Sequence, residues 1–94
     1  MQPIIINAGC GPTGPDRLPQ MFASWRHVRV DVDPEVRPDV VADITDLSPF
    51  NDNFADALWT AHCVEHLYQH QVVSALQGFL RILKPEGYAI VTVP

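Results

Sequence analysis

The stretch Ile4-Ile5-Ile6-Asn7-Ala8-Gly9-Cys10-Gly11, "IIINAGCG", constrains the fold of this chain more than any other. A short β-branched run closed by glycine predicts a buried strand, Pro3 to Ala8. Gly9, Gly11 and Gly14 then follow at the spacing G-x-G-x-x-G, so the backbone is nearly bare immediately after the strand. Such a turn serves either a backbone conformation that other residues avoid or a ligand pressed against the main chain. Where strands and helices alternate afterwards, this opening belongs to an α/β fold.

They do alternate. "VRVDVD", Val28 to Asp33, changes polarity with period two and stops at Pro34, which predicts a second strand. "DVVAD", Asp39 to Asp43, is a brief third; "ADALWTA", Ala55 to Ala61, a fourth; "YAIVTV", Tyr88 to Val93, a fifth. Between the last two, Val72, Val73, Leu76, Phe79, Leu80 and Leu83 recur at helical spacing and form one apolar stripe, ended by Pro85 and Gly87. Leu18 to Ser24 predicts a shorter helical crossover. Parallel strands with helices on the faces follow, and ligands of such sheets bind beyond the carboxyl ends of the strands, where the strand order reverses.

With 94 residues, the chain is read as a single domain, 1–94. Nearly half of it is apolar, 47%, against 18% charged, which suits a folded core and excludes disorder. A net charge of -5 with six scattered basic residues argues against nucleic acid, whose binding draws on clustered Lys and Arg. No apolar run is long enough for a membrane span, and the amino terminus lacks the basic region of a signal peptide. Cys10 and Cys63 form no C-x-x-C pair and read as two reduced core thiols of a cytoplasmic protein.

The residues after the strands narrow the ligand. Asp31 lies 20 positions beyond Gly11, the distance at which an acid meets a ribose in glycine-loop folds. Pro12 and Pro15 remove N–H donors that a pyrophosphate would need, which disfavours a dinucleotide. A phosphate-free, sulfonium-bearing cofactor needs only close backbone, a ribose acid and a mildly acidic pocket.

On "INAGCGP", "VDVDP", "VADITDLSPFNDNFADALW", "AHCVEHL" and "FLRILKPEGYAIVTVP", in that order, the chain resembles the class I S-adenosylmethionine-dependent methyltransferases over nearly its whole length. The resemblance implies a Rossmann-like three-layer α/β sandwich with a mostly parallel five-stranded sheet, truncated after the fifth strand. It further implies that Ala8, Gly9, Cys10 and Gly11 border the methionine part of S-adenosylmethionine. Asp31 would bind the ribose hydroxyls, with Asp33 the second choice, and Val32 would pack on the adenine. Asp43 and the Ile44 amide would meet the adenine edge, and His62 would sit beside the methyl. Asp31 could instead be a charge that merely ends a strand, and Asp43 could cap a turn through its side chain.

His62, His66 and His70 are four apart, with Cys63 and Glu65 among them. No H-E-x-x-H is present and the segment leaves a strand before a helix can begin, so a polar loop and first helical turn are preferred to a metal site. Methyl transfer depends chiefly on in-line positioning. Among Glu65, His66, Tyr68 and His62, His62 is the first candidate for a proton acceptor. Phe22 and Trp25 could fill the pocket floor, because the first crossover is short and rich in proline. The fifth strand would form an edge that a homodimer or a further segment covers. Two other functions stay open: a non-catalytic S-adenosylmethionine or S-adenosylhomocysteine module, and a nicotinamide-binding domain.

Overall fold

A computed structural model of the protein describes residues 2–11, 18–61 and 63–92. Five strands pair in parallel throughout, in the order β3-β2-β1-β4-β5. They are β1 (Ile4–Ala8), β2 (Arg26–Asp31), β3 (Val40–Val41), β4 (Ala55–Ala61) and β5 (Leu83–Thr92). The chain winds outward one way from β1 to β3, then returns past β1 to β4, so the order reverses between β1 and β4. Centrality explains the composition of β1. With neighbours on both edges and cover on both faces, Ile5, Ile6 and Ala8 are wholly buried, and such strands read as continuous apolar runs.

One helix, α1 (Gln69–Ile82), lies on the first face of the sheet. Its start is set by Gln71, whose Oε1 accepts a hydrogen bond from the Tyr68 N–H at 2.9 Å, satisfying a donor the helix cannot use. Ala75, Phe79 and Ile82 point inward and join Ile6, Ala8, Val28, Val30 and Leu58 in the main core. The loop between β3 and β4 completes this layer with Ile44, Leu47 and Phe50, and Arg81 of α1 holds it in place. Arg81 donates to Leu47 O at 2.7 Å, Phe50 O at 2.9 Å and Asp52 Oδ1 at 2.8 Å. Asp52 therefore belongs to an ion pair.

On the second face the described residues supply one 3-10 turn, Gln20–Phe22, which inserts Phe22 against Ile5 and Ala57, with Trp25 edge-on to Phe22 at 4.9 Å. This turn replaces the predicted helix over 18–24: Pro19 opens it, and the Trp25 N–H already turns back to Phe22 O at 3.0 Å.

Several boundaries differ from the sequence expectation for local reasons. β2 begins at Arg26 and ends at Asp31, because Asp33 leaves the sheet to cap the 3-10 turn Pro34–Val36 through the Glu35 N–H at 2.9 Å. β3 shrinks to Val40–Val41, since the Asp43 side chain starts a turn of its own. β5 begins directly after α1, at Leu83, and its pairing with β4 skips from Ala55↔Leu83 to Ala57↔Tyr88. Lys84 to Gly87 thus form a bulge inside a strand rather than a turn before one. The helical stripe is also divided: Phe79 is buried, while Val73, Leu76 and Leu80 are exposed, Leu80 at 76%. Periodicity located the helix; it could not tell which part of a wide apolar arc the sheet would cover.

Candidate cofactor cleft

Four segments meet at the carboxyl end of the sheet, each leaving a different strand. Gly9 follows β1, Asp31 and Val32 end β2, Ala42, Asp43 and Ile44 follow β3, and Cys63, His66 and Leu67 follow β4. Together they line a cleft of about 300 Å³, at the lower end of the range of roughly 300–1,000 Å³ usual for small-ligand pockets. It lies beside the reversal of strand order, where open α/β sheets bind their ligands.

Gly9 and Gly11 have φ of +72° and +70°, a region that costs other residues strain. Gly9 carries a second constraint, because a Cβ there would run into Cys63 Sγ. The Gly9 and Cys10 N–H groups both turn to Val30 O, at 2.8 and 3.0 Å, which folds the glycine turn back over the end of β2.

Asp31 is held by the backbone on both of its oxygens. Oδ2 accepts from the Gly11 N–H and Oδ1 from the Asp33 N–H, each at 2.9 Å. Each carboxylate oxygen can accept more than one hydrogen bond, so this group is oriented and still able to take donors from a ligand. Asp43 caps a turn and also borders the cleft. Oδ1 accepts from Thr45 N at 2.9 Å and Thr45 Oγ1 at 2.8 Å, the turn-capping arrangement, yet the residue lines the cleft. Asp46, in the same loop, is held below the usual carboxylate range by the Ser48 hydroxyl and amide.

Of the residues singled out from the sequence, Gly9, Asp31, Val32, Asp43 and Ile44 come together in the cleft lining. Ala8, Cys10, Gly11 and Asp33 stand next to it without lining it: Ala8 is buried in the sheet, and Asp33 caps its turn. His62, together with Gly14, Pro12, Pro15 and Val93, lies outside the described residues. Phe22 and Trp25 cover the second face instead of a pocket floor. Sequence reasoning missed Ala42 and Leu67, which carry no polar signal, and placed Cys63 in the core. Cys63 is half-buried: it packs against the main core on one side and lines the cleft on the other. The histidines separate, His66 on a 3-10 turn (Val64–His66) at the cleft and His70 in the first turn of α1, stacked on Tyr68 at 6.1 Å. Among the described residues no three metal-competent side chains gather.

The profile of a family described as "methyltransferase domain" matches residues 6–91. The chain belongs to that methyltransferase domain family. No curated protein matches the sequence at a significant level. Among solved structures, an S-adenosylmethionine-dependent methyltransferase from Archaeoglobus fulgidus superposes with a TM-score of 0.76 at 20% identity, over 96% of this chain and 44% of its own. A protein from Pyrococcus horikoshii OT3 gives 0.77 at 19%, over 97% and 46%. The 1,6-didemethyltoxoflavin-N1-methyltransferase of Burkholderia thailandensis, solved with its substrate and S-adenosylhomocysteine, gives 0.74 at 17%, over 96% and 44%. The methyltransferase domain described above thus spans less than half the length of these three proteins. At such identities they share its fold.

Proposed function

We propose that this domain binds S-adenosylmethionine in the cleft and forms the cofactor part of a methyltransferase acting on an acceptor yet to be identified. The observation that carries the reading is Asp31, a strand-end carboxylate oriented by two loop amides at 2.9 Å and opening on a cleft that Gly9 also lines.

The residues fit such a cofactor. Asp31 accepts from the vicinal ribose hydroxyls, using lone pairs that Gly11 and Asp33 leave available. Val32, 64% exposed, lies under the adenine, while Asp43 and the Ile44 amide meet its edge. Ala8, Gly9, Cys10 and Gly11 turn main-chain groups toward the amino-acid portion, and Asp33 supports Asp31 through its amide. When bound, the cofactor supplies a methyl carbon activated by an adjacent sulfonium. The two carboxylates at the cleft favour a cation there. A proton leaving the acceptor goes to an imidazole of the segment after β4, His62 first, and His66 in the cleft lining supports the choice of that segment.

Methyl transfer by the whole protein, its acceptor and its cytoplasmic location belong to the same proposal. Cys10 and Cys63, neither of them in a disulfide, suit that location. Among the described residues no helix is long and apolar enough to cross a membrane. A second copy, or a further segment, covers the outer edge of β5 and the neighbouring Leu76 and Leu80, which are exposed. Sedimentation at rising concentration checks this, and a lone monomer at every concentration speaks against the second copy.

Calorimetry with S-adenosylhomocysteine and NADH side by side tests the ligand. S-adenosylhomocysteine is expected to bind the tighter; preference for NADH overturns the assignment and restores the nicotinamide alternative.

A further inference from the structure

One strand holds Gly11 by both of its main-chain polar groups, which belong to two successive peptide units. Its N–H donates to Asp31 Oδ2 and its carbonyl accepts from Arg29 Nη2, both at 2.9 Å. Residues 29 and 31 are two apart on β2, so their side chains leave the same face of the sheet. The other terminal nitrogen of Arg29, Nη1, donates to Arg37 O at 2.9 Å. Arg37 closes the 3-10 turn after β2 in a left-handed conformation, with φ 54°. The planar guanidinium therefore ties the turn after β1 to the turn after β2. Its own backbone is anchored by Asp39, which accepts from Arg29 N at 2.7 Å and donates from its amide to Arg29 O at 2.8 Å.

Arg29 does not line the cleft; Asp31 does. From this arrangement we infer that Arg29 is a positioning residue for the ribose-binding carboxylate, acting through Gly11. The inference rests on the cofactor reading given above. Among the described residues nothing lies within 4 Å of the space a Cβ would fill at Gly11. With Arg29 removed, Gly11 loses the anchor on its carbonyl; the residue, flexible at its Cα, then shifts, and its N–H leaves Asp31 Oδ2. The carboxylate consequently enters binding unoriented, and the ordering that Arg29 maintains has to be supplied by the ligand. Lysine cannot substitute fully, because a single ammonium on a flexible stem does not reproduce the fixed fork that spans two carbonyls.

The test uses the whole chain, with S-adenosylhomocysteine and its 2′-deoxyribose counterpart as probes. Wild type is expected to prefer the ribose ligand. In Arg29→Ala that preference shrinks about tenfold, the scale of one charge-assisted hydrogen bond, and in Arg29→Lys it falls between. Hydrogen exchange without ligand gives an independent readout: Gly11 N–H exchange accelerates in Arg29→Lys while β4 amides keep their protection. Equal weakening of both ligands, or unchanged Gly11 exchange in Arg29→Lys, overturns the inference and leaves Arg29 a stabilising residue only. If wild type binds neither probe, the cofactor reading itself falls, and the role of Arg29 with it.

Discussion

The two ends of the sheet use the same chemical group in opposite ways. At the carboxyl end, Asp31 accepts loop amides at 2.9 Å and opens on the cleft. At the amino end, Asp56 of β4 accepts the Ile4 N–H at 2.9 Å and pairs with Lys84 at 3.1 Å, joining β1, β4 and the β5 bulge. The Ile4 amide first, and then Lys84, holds the Asp56 carboxyl below its ordinary range against the desolvation that opposes them. No Lys or Arg among the described residues forms an ion pair with Asp31. An acid whose partners are all internal contributes to stability, whereas one with lone pairs directed at a cleft is available for binding.

The sharpest way to break this contrast is Asp31→Ala. Affinity for S-adenosylhomocysteine is expected to fall more than about a hundredfold, the scale of losing two hydrogen bonds to a charged acceptor. Unchanged affinity by calorimetry would remove the functional half of the comparison.

Next in size is Gly9→Ala. Left-handed strain together with the Cys63 collision is expected to cost about 2–4 kcal/mol in urea unfolding, against about 1 kcal/mol for Gly11→Ala, whose Cβ meets open space. Adding Cys63→Ala to Gly9→Ala is expected to restore part of the loss. If the two glycine variants behave alike, the contact with Cys63 is not what distinguishes them.

Asp56→Ala acts at the other end. It is expected to lower stability at neutral pH by about 1–3 kcal/mol, the cost of leaving a strand amide and an ammonium without their acceptor, while cofactor affinity stays the same. Its pH dependence has a fixed sign. The folded carboxyl titrates lower than the unfolded one, so its stabilisation is present above the ordinary aspartate value and disappears as pH falls through the lowered one. Urea unfolding at pH 7 and pH 3 should show the gap between wild type and variant narrowing in acid. A gap that widens in acid would contradict the assigned partners.

The smallest effect is expected from Val32→Ala, which removes apolar surface from the cleft without opening the core. Affinity should drop about threefold to tenfold, in line with roughly 0.8 kcal/mol per methylene removed from a contact, and stability should stay within about 0.5 kcal/mol, as for surface changes generally. A large loss of stability would place Val32 with the structural residues.

Much of this arrangement was legible in the chain because short-range physics enforces it. "ADALWTA" marked β4 with its observed limits, since a mostly apolar stretch of strand length is what a largely buried strand requires. The glycine turn was legible from the bare positions themselves, and Asp31 from its distance to them. Other features were not legible, because they depend on neighbours remote in sequence. Cys63 reaches the cleft only after β4 is laid beside β1, and Ala42 and Leu67 become lining residues by location alone.

Sequence by itself determined the alternation of strands and helix, the bare turn after the first strand and the acid at the tip of the second, because local sterics, periodicity and hydrogen-bonding capacity act over a few residues. Tertiary structure decided which part of the α1 stripe is covered and where β2 and β5 begin. It also decided that Arg29 takes the carbonyl of Gly11 and Asp31 its N–H. Those outcomes depend on which segments are brought within about 3 Å of one another, the separation at which hydrogen bonds form.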